Sequence, residues 1–232
     1  MSAAAVTGAL TRRASFFETT IGKKVVMAVT GILLFGFLLA HMIGNLQFFM
    51  GPEKLNTYAE NLRHILPVLW VMRIGLLVAA VLHIASSVSL ARAKNVARPV
   101  GYAKRHNVGS NYASRTMYWS GPIVLAFLIY HLLHFTIGTA HPEFRELKPY
   151  ENVVSGFSNP IVSVAYIVAV ALLGMHLYHG LWSMFQTLGA AHPRYTPKLK
   201  AFAKLFTAVI VLGFLSVPLA VLAGFRPGQD IV

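Results

Sequence analysis

Four histidines, His41, His83, His131 and His176, lie inside long apolar runs that carry no charged residue. An ionisable side chain within a bilayer marks function, because lipid offers it no partner. An imidazole can do three things there. It can relay protons, hydrogen-bond a carbonyl or hydroxyl of a neighbouring helix, or give a nitrogen lone pair to a metal. A hydrogen bond accounts for one such histidine in isolation. Four on four consecutive runs, matched two by two in depth, suit another chemistry. Pairs of neutral imidazoles fill both axial positions of a low-spin haem used for electron transfer. Carboxylates are absent from the runs, which excludes a di-iron Glu-x-x-His site.

The elements that must position these rings follow from composition. The chain has 232 residues, 56% of them hydrophobic and only 12% charged. Soluble domains carry about 25% charged residues. Uncharged runs cover residues 25–50, 74–91, 116–140, 152–191 and 205–225. Each holds a membrane helix, which needs about 20 residues. The fold expected is all-α: one membrane-embedded domain over residues 1–232, with spanning helices near 25–48, 66–91, 117–138, 160–188 and 202–225. The fourth run is too long for one helix, and Ser158-Asn159-Pro160 marks the helix start. The loops are too short for a soluble domain. Residues 1–24 lack the apolar core of a cleavable signal peptide, so the first span is expected to be retained.

The net charge of +13 does not point to nucleic acid, because it is distributed by side. The N-terminal arm (Arg12, Arg13, Lys23, Lys24), the second loop (Arg92, Lys94, Arg98, Lys104, Arg105, Arg115) and the fourth loop (Arg194, Lys198, Lys200, Lys204) share one side. The other side holds Lys54, Arg63, Arg145, Lys148 and Arg226, with Glu53, Glu60, Glu143, Glu146, Glu151 and Asp230. The positive-inside rule then puts the N-terminus in the cytoplasm and the C-terminus outside. The basic inner face suits an acidic or polar partner. There is no cysteine, which excludes disulfides, covalent CxxCH haem attachment and an iron–sulfur cluster ligated by this chain.

With alternating span directions, His41 and His131 fall in the outer half, and His83 and His176 in the inner half. At 1.5 Å rise per residue the two layers differ in depth by roughly 12–15 Å. Small residues one turn from the rings (Ala79, Ala80, Ser86 and Ser87 near His83, Gly180 near His176, Gly44 near His41) leave space for a large flat ligand or for close helix packing. His134 and His179 each follow a proposed ligand by three residues, within about 60° of its face, so spacing leaves open which of each pair would ligate. His64 ends the second span, while His106, His141 and His192 lie in loops, and all four are expected in water.

Six segments carry a resemblance: IGKKVVMAVTG at 21–31, HMIGN at 41–45, NTYAENLRH at 56–64, ARPVGY at 97–102, YHLLHFTIG at 130–138 and HLYHGLWSMFQTLG at 176–189. The chain resembles, over about residues 20–190, the five-helix di-haem cytochrome b membrane subunit of Bacillus-type succinate:quinone oxidoreductases, relatives of the fumarate reductase anchors. In that family the ligand histidine four residues before Gly-Leu-Trp-Ser corresponds to His176 rather than His179. The ligand ten residues after the third-helix glycine, here Gly121, corresponds to His131. His41 and His83 match the ligands of the first two helices. The fifth span matches only in hydrophobicity.

The resemblance implies two haem b groups, an inner one on His83 and His176 and an outer one on His41 and His131. It also implies a cytoplasmic flavoprotein subunit that oxidises succinate and an iron–sulfur subunit that feeds electrons to this anchor. The substrate in the bilayer is a quinone, menaquinone in this type, in a bacterial cytoplasmic (inner) membrane. A higher oligomer of the complex stays open, as does the reverse reaction, quinol:fumarate reduction. Candidates to contact quinone or haem propionates are His134, His179, Glu60, His64 and Arg73, with Trp70 and Trp182 as interface anchors. Two other readings compete: the cytochrome b anchor of another quinone-linked dehydrogenase or hydrogenase, and a haem-free transporter that relays protons through its histidines.

Overall fold

The computed structural model describes residues 15–97, 100 and 112–228. Arg12, Arg13, Arg98, Lys104, Arg105, His106, Asp230 and most of the ARPVGY segment lie outside the described residues. The described residues form helices and turns with no strand. There are seven α-helices among them: α1 Thr20–Leu46, α2 Pro52–His64, α3 Leu66–Ala97, α4 Tyr112–Leu132, α5 Pro149–Ser158, α6 Pro160–Thr187 and α7 Thr196–Leu222. Five of these, α1, α3, α4, α6 and α7, are long and apolar enough to cross a membrane. The protein is an all-α, multi-pass membrane bundle. Large apolar side chains such as Leu33, Val71, Leu77, Trp119, Leu205 and Leu212 face outward, where lipid solvates them.

Local chemistry sets the helix ends. The Thr19 hydroxyl accepts from the Gly22 amide at 2.9 Å and opens α1. Asn159 caps α6 through the Ile161 amide at 3.0 Å, with Pro160 at the first helical position, so the Ser-Asn-Pro start is where the sequence puts it. The spans run longer than expected: α3 extends to Ala97, α4 begins at Tyr112 and α7 at Thr196. The added turns are basic, and a helix needs no lipid to continue into water. Helix α4 ends in a π-helical turn, Leu133–Ile137, closed by Gly138 at φ 85°. Two short helices lie outside the five expected spans: α2 falls between apolar runs, and α5 takes up the surplus at the start of the fourth run. Each starts on a proline.

The packing is uneven. Helix α3 lies along α1, while α6 packs against α7 and α4, and α1 joins the two groups through α6 and α7. Helix α3 has no extensive backbone contact with α4 or α6. Met42, Leu177 and Ile210 fill the α1–α6–α7 junction. At the end of the bundle that charge assigns to the outside, α2, α5 and the C-terminal turn form a cap. Its core is Phe48, Leu55, Tyr150, Val154, Phe157, Tyr166, Val217 and Val221. Asn56 ties the cap together. It donates to the Glu151 carboxylate (3.0 Å) and accepts from the Tyr150 amide (3.1 Å). The Tyr150 hydroxyl donates to the Pro227 carbonyl at 2.7 Å, and Arg63 pairs with Glu146 at 2.8 Å.

Candidate metal centres

Each of the four span histidines has one other as a ring neighbour across the bundle. The His83 ring on α3 lies 6.4 Å, centroid to centroid, from that of His176 on α6. The His41 ring on α1 lies 5.8 Å from that of His131 on α4. A metal–nitrogen bond of about 2.0 Å on each side, and about 1.1 Å more to each ring centre, separates two trans imidazoles on one metal by about 6.2 Å. The two distances bracket that value.

Among the described residues no group of three or more His, Cys, Asp or Glu side chains is arranged to hold a metal ion. Two imidazoles alone make a poor site for a bare ion, which takes three or four protein ligands. They suit a metal whose other four positions are already filled by a macrocycle. The residues therefore fit haem better than zinc or iron alone. The absence of close packing between α3 and both α4 and α6 leaves the His83–His176 pair bridging a gap that backbone does not fill.

Hydrogen bonds prepare these rings unequally. His83 Nδ1 lies 3.1 Å from the Met27 carbonyl and 3.3 Å from Thr30 Oγ1. A carbonyl only accepts, so Nδ1 carries the proton and donates. Nε2 then keeps its lone pair, the arrangement that orients a ligating histidine. Thr30 Oγ1 gives its own proton to the Val26 carbonyl at 2.7 Å. The Gly31 position is 3.5 Å from the His83 ring, room for an ordinary contact only. His176 Nδ1 is buried without a hydrogen-bond partner, so that ring has unused bonding capacity. His41 Nε2 is 3.4 Å from Asn45 Nδ2, one turn along α1. His131 Nδ1 is 3.4 Å from the Tyr166 hydroxyl on α6.

The small residues divide into two kinds. Open space surrounds Gly180, and Gly121 on α4, with nothing within 4 Å of an added Cβ. Gly44 instead meets the Tyr58 hydroxyl at 3.1 Å. It admits Tyr58 of α2 to the face of α1, so its small size serves helix packing. On the inner side, a groove of about 430 Å³ between α1 and α6 is lined by Lys24, Met27, Ser183, Gln186 and Thr187.

The remaining candidates separate. His134 is 2% exposed, its Nδ1 3.1 Å from the Tyr166 hydroxyl. Its ring is stacked between Tyr130 at 5.4 Å and His141 at 4.6 Å. His179 is half-buried on α6. Glu60 and His64 are exposed on α2. Arg73 is exposed on α3, its guanidinium 5.2 Å from the Trp70 ring centre. None of these three is hydrogen-bonded or ion-paired to the outer histidines. Lys200 sits 4.8 Å over Trp182, so both tryptophans hold a cation near a helix end. His192 is exposed, as expected of a loop residue.

His141 is not in water. It is 5% exposed, stacked on His134, with Nε2 2.9 Å from Ser155 Oγ. Gly138 turns the chain back after α4, and Gly156 on α5 leaves the space: a Cβ there would stand 2.9 Å from His134 and 3.3 Å from His141. Burial lowers the His141 pKa, while the backbone carbonyl of His134 and the charge of Glu143 pull it back up. The chain matches no protein-family model, no curated protein and no solved structure.

Proposed function

We propose that this chain is the di-haem cytochrome b anchor of a succinate:quinone oxidoreductase, working in the bacterial cytoplasmic membrane. The observation that carries the reading is the pair of cross-helix imidazole couples, His83 with His176 and His41 with His131, each at the spacing of two rings on one metal. When bound, low-spin haem supplies one-electron chemistry. The chain's own part is to hold and insulate. His83 and His176 would hold the inner group, His41 and His131 the outer. Met27 and Thr30 fix the His83 tautomer. The apolar spans keep water away, and Lys24 in the inner groove would meet a haem propionate. A flavoprotein and an iron–sulfur subunit dock on the basic inner face, and quinone, menaquinone in this reading, exchanges electrons with the chain. Glu60 and His64, at the other end, are exposed and can pass protons from water to the quinone, and Arg73 adds a fixed positive charge.

A reduced-minus-oxidised spectrum with haem quantified per chain tests this. The expected result is a b-type α band and two haems per chain. A folded, full-length chain without that band overturns the reading and favours a haem-free proton relay. Hydrogenase or formate dehydrogenase subunits in the purified complex would indicate the other kind of anchor. His83→Ala and His176→Ala are each expected to remove the same one of the two haems, and His41→Ala and His131→Ala the other. Loss of the outer haem by His176→Ala would contradict the pairing.

A further inference from the structure

The sequence leaves His134 and His131 as rival ligands, and the surroundings of the two rings separate their roles. His134 is enclosed: it is 2% exposed, the Tyr130 and His141 rings stack on it at 5.4 and 4.6 Å, and a Cβ at position 156 would stand 2.9 Å from its Cε1. Its Nδ1 is engaged by the Tyr166 hydroxyl. The same hydroxyl, 5% exposed, reaches His131 Nδ1 on its other side. A tyrosine oxygen has one proton to give and lone pairs to receive. If His131 ligates through Nε2, its Nδ1 carries a proton and must donate to Tyr166. Tyr166 then gives its own proton to His134 Nδ1. Phe127, Phe135 and Phe157 pack against the Tyr166 ring at 5.0, 5.6 and 5.0 Å and hold it in place.

Resting on the haem reading above, we infer that Tyr166 is a positioning residue for the outer histidine pair, with its hydroxyl aimed by His134, which is not itself a ligand. The inner pair is held differently: His83 Nδ1 donates to the Met27 backbone carbonyl, with Thr30 Oγ1 beside it at 3.3 Å. The outer centre is therefore tunable through Tyr166.

The test uses the purified complex carrying Tyr166→Phe, His134→Ala, His134→Asn or the double variant Tyr166→Phe/His134→Ala. Haem per chain, the low-spin electron paramagnetic resonance signals and the midpoint potential of each haem are measured. Tyr166→Phe is expected to keep two haems while the signal and potential of the outer one move and those of the inner one stay. His134→Ala moves the outer haem the same way. His134→Asn, whose amide oxygen still accepts from Tyr166, restores the original signal. The double variant adds nothing to Tyr166→Phe alone, as expected of coupled neighbours. Two haems with unchanged signals in Tyr166→Phe and His134→Ala overturn the inference and leave the haem reading intact. So does loss of the outer haem by His134→Ala while His131→Ala retains it. Should Tyr166→Phe fail to fold, the two His134 variants decide by the same signals. A wild-type complex with no haem is a different failure, and removes both.

Discussion

Every buried imidazole has two nitrogens to place, and the rings of this bundle place them by different means. His83 uses a backbone carbonyl and His131 a tyrosine, while His141 uses the Ser155 hydroxyl. His141 is the residue whose surroundings were hidden in the sequence. It follows Thr139-Ala140 and precedes Pro142 between two spans, and only the fold shows Gly156 opening a seat for it. Its lowered pKa has a consequence for stability. The folded cap favours the neutral ring, so that contribution is complete above the ordinary histidine pKa of 6.5 and fades as pH falls below it. Hydrogen exchange of residues 139–158, corrected for intrinsic rates, should show weaker protection at pH 5.5 than at pH 7.5. His141→Gln, which keeps a donor for Ser155, should flatten the difference; equal protection in the wild type would contradict the assignment. Asn56 offers a second residue-scale test. It caps the start of α5 from another helix, through the Tyr150 amide, and its loss also strips a partner from Glu151. Asn56→Ala should destabilise the protein by about 1–3 kcal/mol, measured by thermal unfolding in detergent.

At the level of elements, α3 is the weakly held piece. Ala79, at 3% exposure, is its one buried residue among those described, and the helix rests on α1 alone along most of its length. Ala79→Leu should force α3 from α1, at a cost of about 1–3 kcal/mol, and carry His83 away from Met27. Unfolding in detergent gives the first quantity and retention of the inner haem the second; an unchanged melting temperature would show that the α1–α3 contact lies elsewhere. The spanning helices were legible because lipid imposes one rule on all of them, about 20 apolar residues without a charge. Helices α2 and α5 obey no such rule. They are short and amphipathic, and their partners are distant in sequence, so NTYAENLRH reads as a segment of polar residues until Tyr58 is seen against Gly44. The pairing of histidines was legible for the same reason as the spans: depth follows from span direction and helical rise. The shared hydroxyl of Tyr166 was not, because it depends on the rotation of α6 against α4.

The whole molecule is asymmetric, closed at one end by a cap and lined with basic residues at the other. Charge puts the cap outside. The chain has no cysteine, so single introduced cysteines report its sidedness without interference. In intact cells Glu53→Cys and Glu146→Cys should react with an impermeant maleimide, and Lys198→Cys only after permeabilisation. The reverse pattern would invert the topology and exchange the inner and outer histidine pairs. The π-helical turn that ends α4 has a consequence for how the chain can vary. A regular helix would carry His134 round to within about 60° of His131. The wider turn begins at Leu133 and lets one imidazole look into the bundle while the other looks into the cap. Deleting one residue there would restore the regular winding and turn the chain beyond it away from its seat. The interval from His131 to His141 therefore tolerates changes of residue far better than a change of length.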